Sequence, residues 1–306
     1  MTLTELRYIV TLADTAHFGR AAKVCFVSQP TLSVAIKRLE SELDVTIFER
    51  RKNGVLVTDL GHKIIEQARQ ALLQADRVKE LAKNDKDQLI SPLRVGAIHT
   101  VGPYLFPELV HQLRQTAPQM PLYIEENLTV NLRAKLLNAE LDAVIVALPF
   151  DEPDVVITPL YKEEFLMLLN QGHPWSEQKT IDAQSLTQTE LLLLGEGHCF
   201  RDQILESCLS LQQALNNQQH STEGSSLETI RMMVASGLGS SVIPATAARQ
   251  NRNSQSLVTV PFSAPVPSRT IALAWRASFP RTKAIDHLLQ ASKAAYSVTD
   301  EVKNEG

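Results

Sequence analysis

The chain has 306 residues, of which 44% are hydrophobic, and its formal net charge is −4. No apolar run approaches the roughly 20 residues of a membrane span, and the charged Glu5 and Arg7 occupy the region where a signal peptide needs an apolar core. We therefore expect a cytoplasmic chain with no membrane partner that folds into two or three units.

The N-terminal region carries the pattern of three short helices. Thr2 followed by Glu5 is a capping box, and a second helix is predicted from Phe18. Ser28 is a good N-cap and Pro30 suits a first helical turn, so a third helix follows. Its inward apolar stripe consists of Leu32, Ile36, Leu39 and Leu43. This order of elements predicts a helix-turn-helix motif.

The third helix has a polar outer face that suits nucleic acid. Its side chains would meet base edges and phosphates if the helix entered the major groove. The candidate DNA-binding residues are Gln29, Pro30, Thr31, Ser33, Lys37 and Arg38. The alternative is a generic three-helix bundle whose polar face contacts only solvent.

A basic hairpin is predicted after the third helix. Two β-prone runs flank Asn53-Gly54, which is typical of a tight turn, and the first run ends in Arg50, Arg51 and Lys52. We interpret the hairpin as a wing whose Arg50 and Arg51 contact phosphates and add affinity without sequence information. The wing favours DNA binding over the generic bundle.

A long helix is predicted from Thr58, followed by a polar linker that ends before Pro92. Small and apolar residues on this helix alternate spacings of four and three, which is typical of a two-stranded coiled coil and predicts a dimer. They are Ile64, Ala68, Ala71, Ala75, Val78 and Ala82. Alternatively, the helix packs on its own domain.

After Pro92, short β-runs alternate with helices, which predicts parallel α/β sheets in two lobes. Ligand sites in such folds lie at the carboxyl ends of strands and between lobes. Three segments at predicted strand ends are therefore candidates: His99-Thr100, Asn127 to Thr129, and Gly195 to Cys199. The predicted domains are a DNA-binding domain at 1–58, a linker and dimerisation helix with a hinge at 59–88, and a regulatory domain at 89–306.

Cys199 and Cys208 lie nine positions apart in a segment with helical character. A helix would separate them by about 13.5 Å along its axis and place them on opposite faces. Because the Cα atoms of a disulfide lie within about 7 Å of each other, the pair can join only if this helix unfolds. Oxidation would therefore be a conformational switch, whereas Cys25 is predicted to be a packing residue.

A close cysteine pair in a reducing compartment is either redox-active or metal-binding. A zinc site would use Cys199, Cys208, His198 and His220, but the spacing lacks the Cys-x-x-Cys knuckles of structural sites. We therefore expect no metal and no cofactor.

Together these features resemble the LysR-type transcriptional regulators over essentially the whole chain. The resemblance rests on SQPTLS at 28–33, the Arg-rich wing, the linker helix and the two-lobed effector domain. Four segments are similar to the hydrogen-peroxide-sensing members of that family. They are GAIHTVGPYLFP at 96–107, MPLYIEEN at 120–127, SSLETIRMMVASGLG at 225–239, and GEGHCFRDQ with a second cysteine nine residues on.

The resemblance implies an α/β multidomain protein: an N-terminal winged helix-turn-helix, a linker helix, and a two-lobed effector domain like a periplasmic binding protein. It implies a regulator rather than an enzyme, which binds double-stranded operator DNA in both redox states. Homodimers would assemble into a homotetramer. RNA polymerase and a cytosolic thiol reductant are further implied partners.

The resemblance also implies that Cys199 is the peroxidatic cysteine and Cys208 the resolving one, with Thr100 and Thr129 at the pocket positions that bind peroxide. Chemistry requires negative charge on the Cys199 sulfur, because thiolate rather than thiol reacts with peroxide. The helix N-terminus, His198, Arg201 and, at long range, Arg269 would stabilise that charge. The predicted course is a sulfenic acid on Cys199 and then a reversible disulfide.

Two alternatives stay open. The first is a LysR-type regulator that senses a small metabolite and whose cysteines are ordinary core residues. The second is a thiol peroxidase, although turnover has no need of a recognition helix.

Overall fold

The computed structural model describes residues 1–51, 54–83, 88–208, 223–249 and 256–301. The chain divides into two compact units, Met1–Lys86 and Asp87–Gly306. The predicted wing residues Lys52 and Asn53, most of the predicted linker and His220 lie outside the described residues, as do the side chains of Arg50 and Ala82. Within the described part of the chain, no helix combines the length and hydrophobicity that a bilayer span requires.

The first unit is a winged helix-turn-helix followed by a long helix. It contains α1 (Leu3–Thr15), α2 (Phe18–Val24), α3 (Gln29–Leu43), β1 (Phe48–Arg51), β2 (Gly54–Val57) and α4 (Asp59–Lys83). The predicted capping box of Thr2 and Glu5 is confirmed, and the Ser28 side chain caps α3 by accepting from the Thr31 N–H. β1 and β2 pair in antiparallel fashion, as the predicted wing requires.

The helices of this unit share one core. Leu32, Ile36 and Leu39 of α3 are buried in it, whereas Leu43 at the end of the helix is exposed and does not continue the predicted stripe. Cys25 is partly buried against the same core, which confirms its prediction as a packing residue.

One face of the long helix α4 packs against the core of its own unit. Ile65 and Ala68 are buried in the core, and the helix packs along α1. Of the predicted coiled-coil seam, Ala71 and Val78 are exposed, whereas Ala68 is buried within the unit. Packing on its own unit therefore explains only part of the apolar pattern, and the dimer stays a prediction.

The second unit contains a mixed sheet flanked by helices. Its strands are β3 (Leu93–Ile98), β4 (Leu122–Asn127), β5 (Ala143–Ala147), β6 (Val155–Asn170), β7 (Leu191–Leu194), β8 (Glu223–Gly224), β9 (Ser240–Pro244), β10 (Leu257–Pro261) and β11 (Ser268–Arg276). Its helices are α5 (Gly102–Thr116), α6 (Thr129–Leu137), α7 (Cys199–Ser207), α8 (Leu227–Ala235), α9 (Ala245–Ala248) and α10 (Thr282–Glu301), with a 3-10 helix at Ala183–Gln188.

Two separate hydrophobic cores define the two lobes of this unit. The first lobe packs β3, β5, β11, α5 and α10 around residues such as Val95, Leu109 and Ile145. The second lobe packs β7, β9, α7 and α8 around residues such as Leu193, Ile204 and Ile243. The two-lobed α/β architecture expected from the alternating elements is thereby observed.

The prediction of parallel sheets was wrong for the strands that join the lobes. β3 pairs in parallel with β4 and β5, and β7 pairs in parallel with β8 and β9. β6, however, pairs antiparallel with β9, β10 and β11, and β11 pairs antiparallel with β5. The long β6 carries the chain from the first lobe to the second and β11 returns it, so these neighbours run in opposite directions.

Candidate functional site

The three strand-end segments singled out from the sequence meet at one small cavity between the lobes of the second unit. It is lined by Ile98 to Thr100 at the end of β3, Asn127 to Thr129 at the end of β4, and Gly197 to Phe200 at the start of α7. About 10 Å³ is open to the centre of a water-sized molecule. A space of this size suits a ligand of very few atoms.

Cys199 occupies the first position of α7. Gly197 has a φ of +89°, a conformation that favours glycine, and it turns the chain from β7 into the helix. The N-cap residue His198 makes no side-chain capping hydrogen bond. The His198 side chain therefore does not cap the N–H groups in the first turn of α7. These N–H groups give the N-terminus of α7 a partial positive charge close to the Cys199 sulfur.

A fully buried ion pair contacts two of the residues that line the cavity, Thr100 and Phe200. The Arg269 guanidinium donates from Nε to Glu163 Oε1 at 2.8 Å, and both side chains are fully buried. It also donates to Thr100 Oγ1 at 2.7 Å and to the Thr100 carbonyl at 3.0 Å, and lies 4.9 Å from the centre of the Phe200 ring. Arg269 thus positions Thr100, while the nearby Glu163 carboxylate offsets its charge.

The two predicted hydroxyl ligands have different surroundings. Thr100 is bound by Arg269, whereas Thr129 Oγ1 is buried and has no hydrogen-bond partner in the described structure. Buried polar atoms in folded proteins are nearly always hydrogen-bonded, so such an exception points to a role beyond packing. Thr129 lines the cavity, so a small polar ligand there is the candidate partner for its hydroxyl.

His198 faces a second histidine at the cavity. Its ring centre lies 5.7 Å from that of His99, whose Nδ1 is 3.7 Å from Glu126 Oε2. Burial lowers the pKa of His198 below 6.5, and the neighbouring His99 lowers it further. His198 is therefore biased towards the neutral form, which carries no positive charge and has one ring nitrogen as a donor and the other as an acceptor.

Arg201 has a carboxylate partner. Its guanidinium donates to Glu223 Oε1 at 2.6 Å and to the Leu194 carbonyl at 2.9 Å. These contacts connect α7 to the ends of β7 and β8. Its predicted effect on the Cys199 sulfur stays a prediction.

Cys208 lies at the opposite end of α7 and is completely buried. Neither Cys199 nor Cys208 is in a disulfide. The intervening helix separates them by about 13.5 Å along its axis. Cys199 packs against the core of the first lobe, whereas Cys208 belongs to the core of the second, with its thiol 3.8 Å from Gln184 Oε1.

The candidate DNA-binding face of the first unit lies on α3 and the wing. Ser33 is partly buried and Arg51 on β1 is exposed. The remaining candidates on α3 are exposed: Gln29, Pro30, Thr31, Lys37 and Arg38. Arg50 is in β1, but its side chain lies outside the described residues.

Glu163 was missed by the sequence analysis although a signal was present. In β6, Tyr161, Glu163 and Phe165 are buried and the residues between them are exposed. A carboxylate on the buried face of a strand needs a buried partner that forms an ion pair or hydrogen bonds with it. The sequence pattern could have marked Glu163 as a paired residue, but not Arg269 as its partner.

Comparisons with known proteins cover both units. A model of the LysR substrate binding domain matches residues 86–297, and one of bacterial regulatory helix-turn-helix proteins of the lysR family matches residues 3–62. The DNA-binding transcriptional dual regulator OxyR of Escherichia coli strain K12 is 38% identical over 96% of this chain and 95% of its own.

Solved structures give the same result. Full-length OxyR from Pseudomonas aeruginosa, with a cysteine replaced by aspartate, is 56% identical with a TM-score of 0.78, over 96% of this chain and 95% of that one. The oxidised form of OxyR from Corynebacterium glutamicum is 31% identical with a TM-score of 0.59, over 98% and 94%. The chain therefore belongs to the LysR family of bacterial transcriptional regulators and, within it, to the OxyR group.

Proposed function

We propose that this chain is a LysR-type DNA-binding regulator that senses hydrogen peroxide through a reversible Cys199–Cys208 disulfide and controls antioxidant genes. The observation that carries the proposal is the position of the two cysteines at opposite ends of α7, with Cys199 in a cavity of small-ligand size. The names of relatives support it, since several are called hydrogen peroxide-inducible genes activator.

The first chemical step takes place on Cys199. Its thiolate attacks one peroxide oxygen, so an S–O bond forms while the O–O bond breaks, and hydroxide leaves and takes up a proton to become water. The Thr100 and Thr129 hydroxyls are the proposed peroxide ligands. His198, Arg201, Arg269 and the α7 N-terminus are the proposed groups that stabilise the charge on sulfur.

The second step joins the two cysteines. The Cys208 thiolate attacks the sulfenic sulfur of Cys199, so an S–S bond forms, the S–O bond breaks, and hydroxide leaves and is protonated to water. The two thiols are thereby oxidised by two electrons and peroxide is reduced to two waters. A cytosolic thiol reductant returns the disulfide to thiols by exchange.

The closure of this bond requires α7 to unfold. The helix holds the cysteines about 13.5 Å apart along its axis, whereas bridged Cα atoms lie within about 7 Å. Cys208 must therefore leave the core of the second lobe. The resulting change of the regulatory domain is the proposed signal to the DNA-binding domain.

The size of the cavity supports peroxide over a larger metabolite. Typical small-molecule sites enclose about 300–1,000 Å³, whereas the centre of a water-sized molecule can occupy only about 10 Å³ of the cavity at Cys199. A dedicated thiol peroxidase is disfavoured because the chain carries a helix-turn-helix with an exposed polar face.

The same proposal includes the domain bounds, the oligomeric state, the partners and the location of the protein. The domains are residues 1–58, 59–88 and 89–306, with dimers formed through α4 and tetramers formed from dimers. Double-stranded operator DNA is contacted by α3 and by Arg50 and Arg51 of the wing. RNA polymerase is the further partner, and the cytoplasm the expected location.

Thiol mass mapping beside a footprint on operator DNA tests both parts of the proposal. Stoichiometric peroxide should produce a Cys199–Cys208 linkage in the wild-type chain and change its footprint, and a thiol reductant should reverse both. Cys199→Ser should bind DNA but respond in neither assay. Cys25→Ser is the matched control and should behave as wild type, because Cys25 only packs against the first unit's core.

Two results would contradict the proposal. A Cys199→Ser chain whose footprint still responds to peroxide would remove Cys199 as the sensor. Peroxide-treated wild type with both thiols unlinked, yet with an altered footprint, would refute the disulfide.

A further inference from the structure

Val34 is an apolar residue at the outermost point of α3. The structure leaves its side chain 67% exposed, whereas Leu32, Ile36 and Leu39 of the same helix are buried. Successive residues turn by about 100° around a helix, which places Val34 opposite this buried stripe. Within the described first unit, burial therefore does not account for a valine at this position.

Three of the four exposed neighbours of Val34 on this face are polar or basic, and the fourth is a proline. Pro30, Thr31, Lys37 and Arg38 lie within about 60° of Val34 around the helix axis, and all four are exposed. A β-branched residue also slightly lowers helix propensity. Neither packing nor local helix stability thus favours valine at the centre of this face.

We propose that Val34 recognises the C5-methyl group of a thymine in the major groove, an inference that rests on the proposed DNA-binding function. Thymine is the one base of the four that presents an apolar group on its major-groove edge. Cytosine at the same position presents an amino donor, which a valine would desolvate without replacing its hydrogen bond. Val34 is then a specificity residue, while Lys37 and Arg38 supply electrostatic affinity.

Replacing thymine by uracil tests this contact, because it removes only the methyl group and keeps Watson–Crick pairing. The probe is a DNA duplex enriched from a random pool by the reduced full-length wild-type chain, with each thymine replaced in turn. Uracil at one base position in the sequence that each α3 contacts should lower the affinity of the wild type about fourfold. This loss is expected when one apolar carbon is removed from the interface. Val34→Ala should show no loss at that position.

The matched control is Val130→Ala. Val130 is 63% exposed on α6 in the other unit and should keep the wild-type sensitivity to uracil. A wild type that tolerates uracil at every position, or a Val34→Ala chain that keeps the same sensitive position, would overturn the inference. Failure of the wild type to enrich any duplex would instead contradict the proposed function, so the two failures are distinguishable.

Discussion

At the scale of single residues, the cavity contains a polar group that the described fold does not satisfy. Thr129 Oγ1 is buried without a hydrogen-bond partner, while the nearby Thr100 hydroxyl accepts from Arg269. An unsatisfied buried polar group costs about 1–3 kcal/mol of stability. A site that binds a small polar molecule must present such groups before the ligand arrives, so function and stability oppose each other here.

Thr129→Val should therefore change stability and reactivity in opposite senses. The isosteric substitution removes the unsatisfied hydroxyl, so the reduced protein should gain about 1 kcal/mol in free energy of unfolding. Oxidation of Cys199 by peroxide should slow about two- to tenfold, because one neutral hydrogen bond to the peroxide is lost. Urea unfolding and quenched-flow detection of the sulfenic acid measure the two effects.

Thr116→Val is the control for that substitution. Thr116 lies on α5, its hydroxyl donates to the Gln112 carbonyl at 3.4 Å, and it is exposed to solvent. Its rate of Cys199 oxidation should equal that of wild type. An unchanged oxidation rate in Thr129→Val would show that this hydroxyl does not bind peroxide.

At the scale of elements, the helix α7 must unfold before Cys199 and Cys208 can form a disulfide. Phe200, next to Cys199, is 1% exposed and meets Phe165 edge-on with ring centres 4.9 Å apart. Ile204 and Cys208 are buried in the same core. The reduced fold is therefore stabilised by packing of α7 that is lost in the disulfide form. The difference in stability between the reduced and the disulfide form sets how easily the disulfide is reduced.

Phe200→Leu should shift that balance towards the disulfide. The smaller side chain weakens the packing of α7 in the reduced fold by about 1 kcal/mol. Because a two-electron couple moves by about 30 mV for each 1.4 kcal/mol, the reduction potential of Cys199–Cys208 should become more negative by about 20 mV. Equilibration in dithiol redox buffers, followed by thiol trapping, measures the shift.

Phe262→Leu serves as the matched control. Phe262 is also buried in the second lobe's core but is not part of α7, so its truncation should destabilise both redox forms alike. Its reduction potential should stay that of wild type. Equal shifts in the two variants would indicate a general loss of stability rather than a role of α7 packing.

At the scale of the whole molecule, charge is divided unequally between the units. The unit Met1–Lys86 holds 14 Lys and Arg against 11 Asp and Glu, whereas the rest of the chain holds 16 against 23. A chain with a net charge of −4 can bind a polyanion only through a local basic face. The exposed Lys37 and Arg38 on α3 and Arg51 on β1 are the proposed members of such a face.

Lys37→Ala should weaken DNA binding most at low salt. If Lys37 neutralises a phosphate, the slope of log affinity against log salt concentration should become shallower by about 0.9 in the variant, because one fewer phosphate charge is neutralised on binding. Titrations of the reduced chain on one duplex over a range of salt concentrations measure the slope. Lys179→Ala, an exposed lysine of the other unit, should leave the slope unchanged. An unaltered slope in Lys37→Ala would mean that this residue does not bind a phosphate.

Sequence reasoning went furthest where short-range rules apply. The Thr2 and Ser28 caps, the buried stripe of α3 and the strand-end position of the cavity segments follow from periodicity and capping. The parallel sheet prediction failed at β6 and β11, because strand direction there depends on the chain crossing twice between lobes. Leu43 left the predicted stripe because the helix ends there and the core does not reach it.

The sequence by itself determined the separation of Cys199 from Cys208, since a helix of known rise lies between them. Only the tertiary structure decided which carboxylates pair with Arg269 and Arg201, two residues that neighbour the cavity residues Thr100 and Phe200. Arg269 pairs with Glu163, 106 positions away, and Arg201 pairs with Glu223. These pairs depend on strand register and on the approach of distant segments, which no local pattern of side chains encodes.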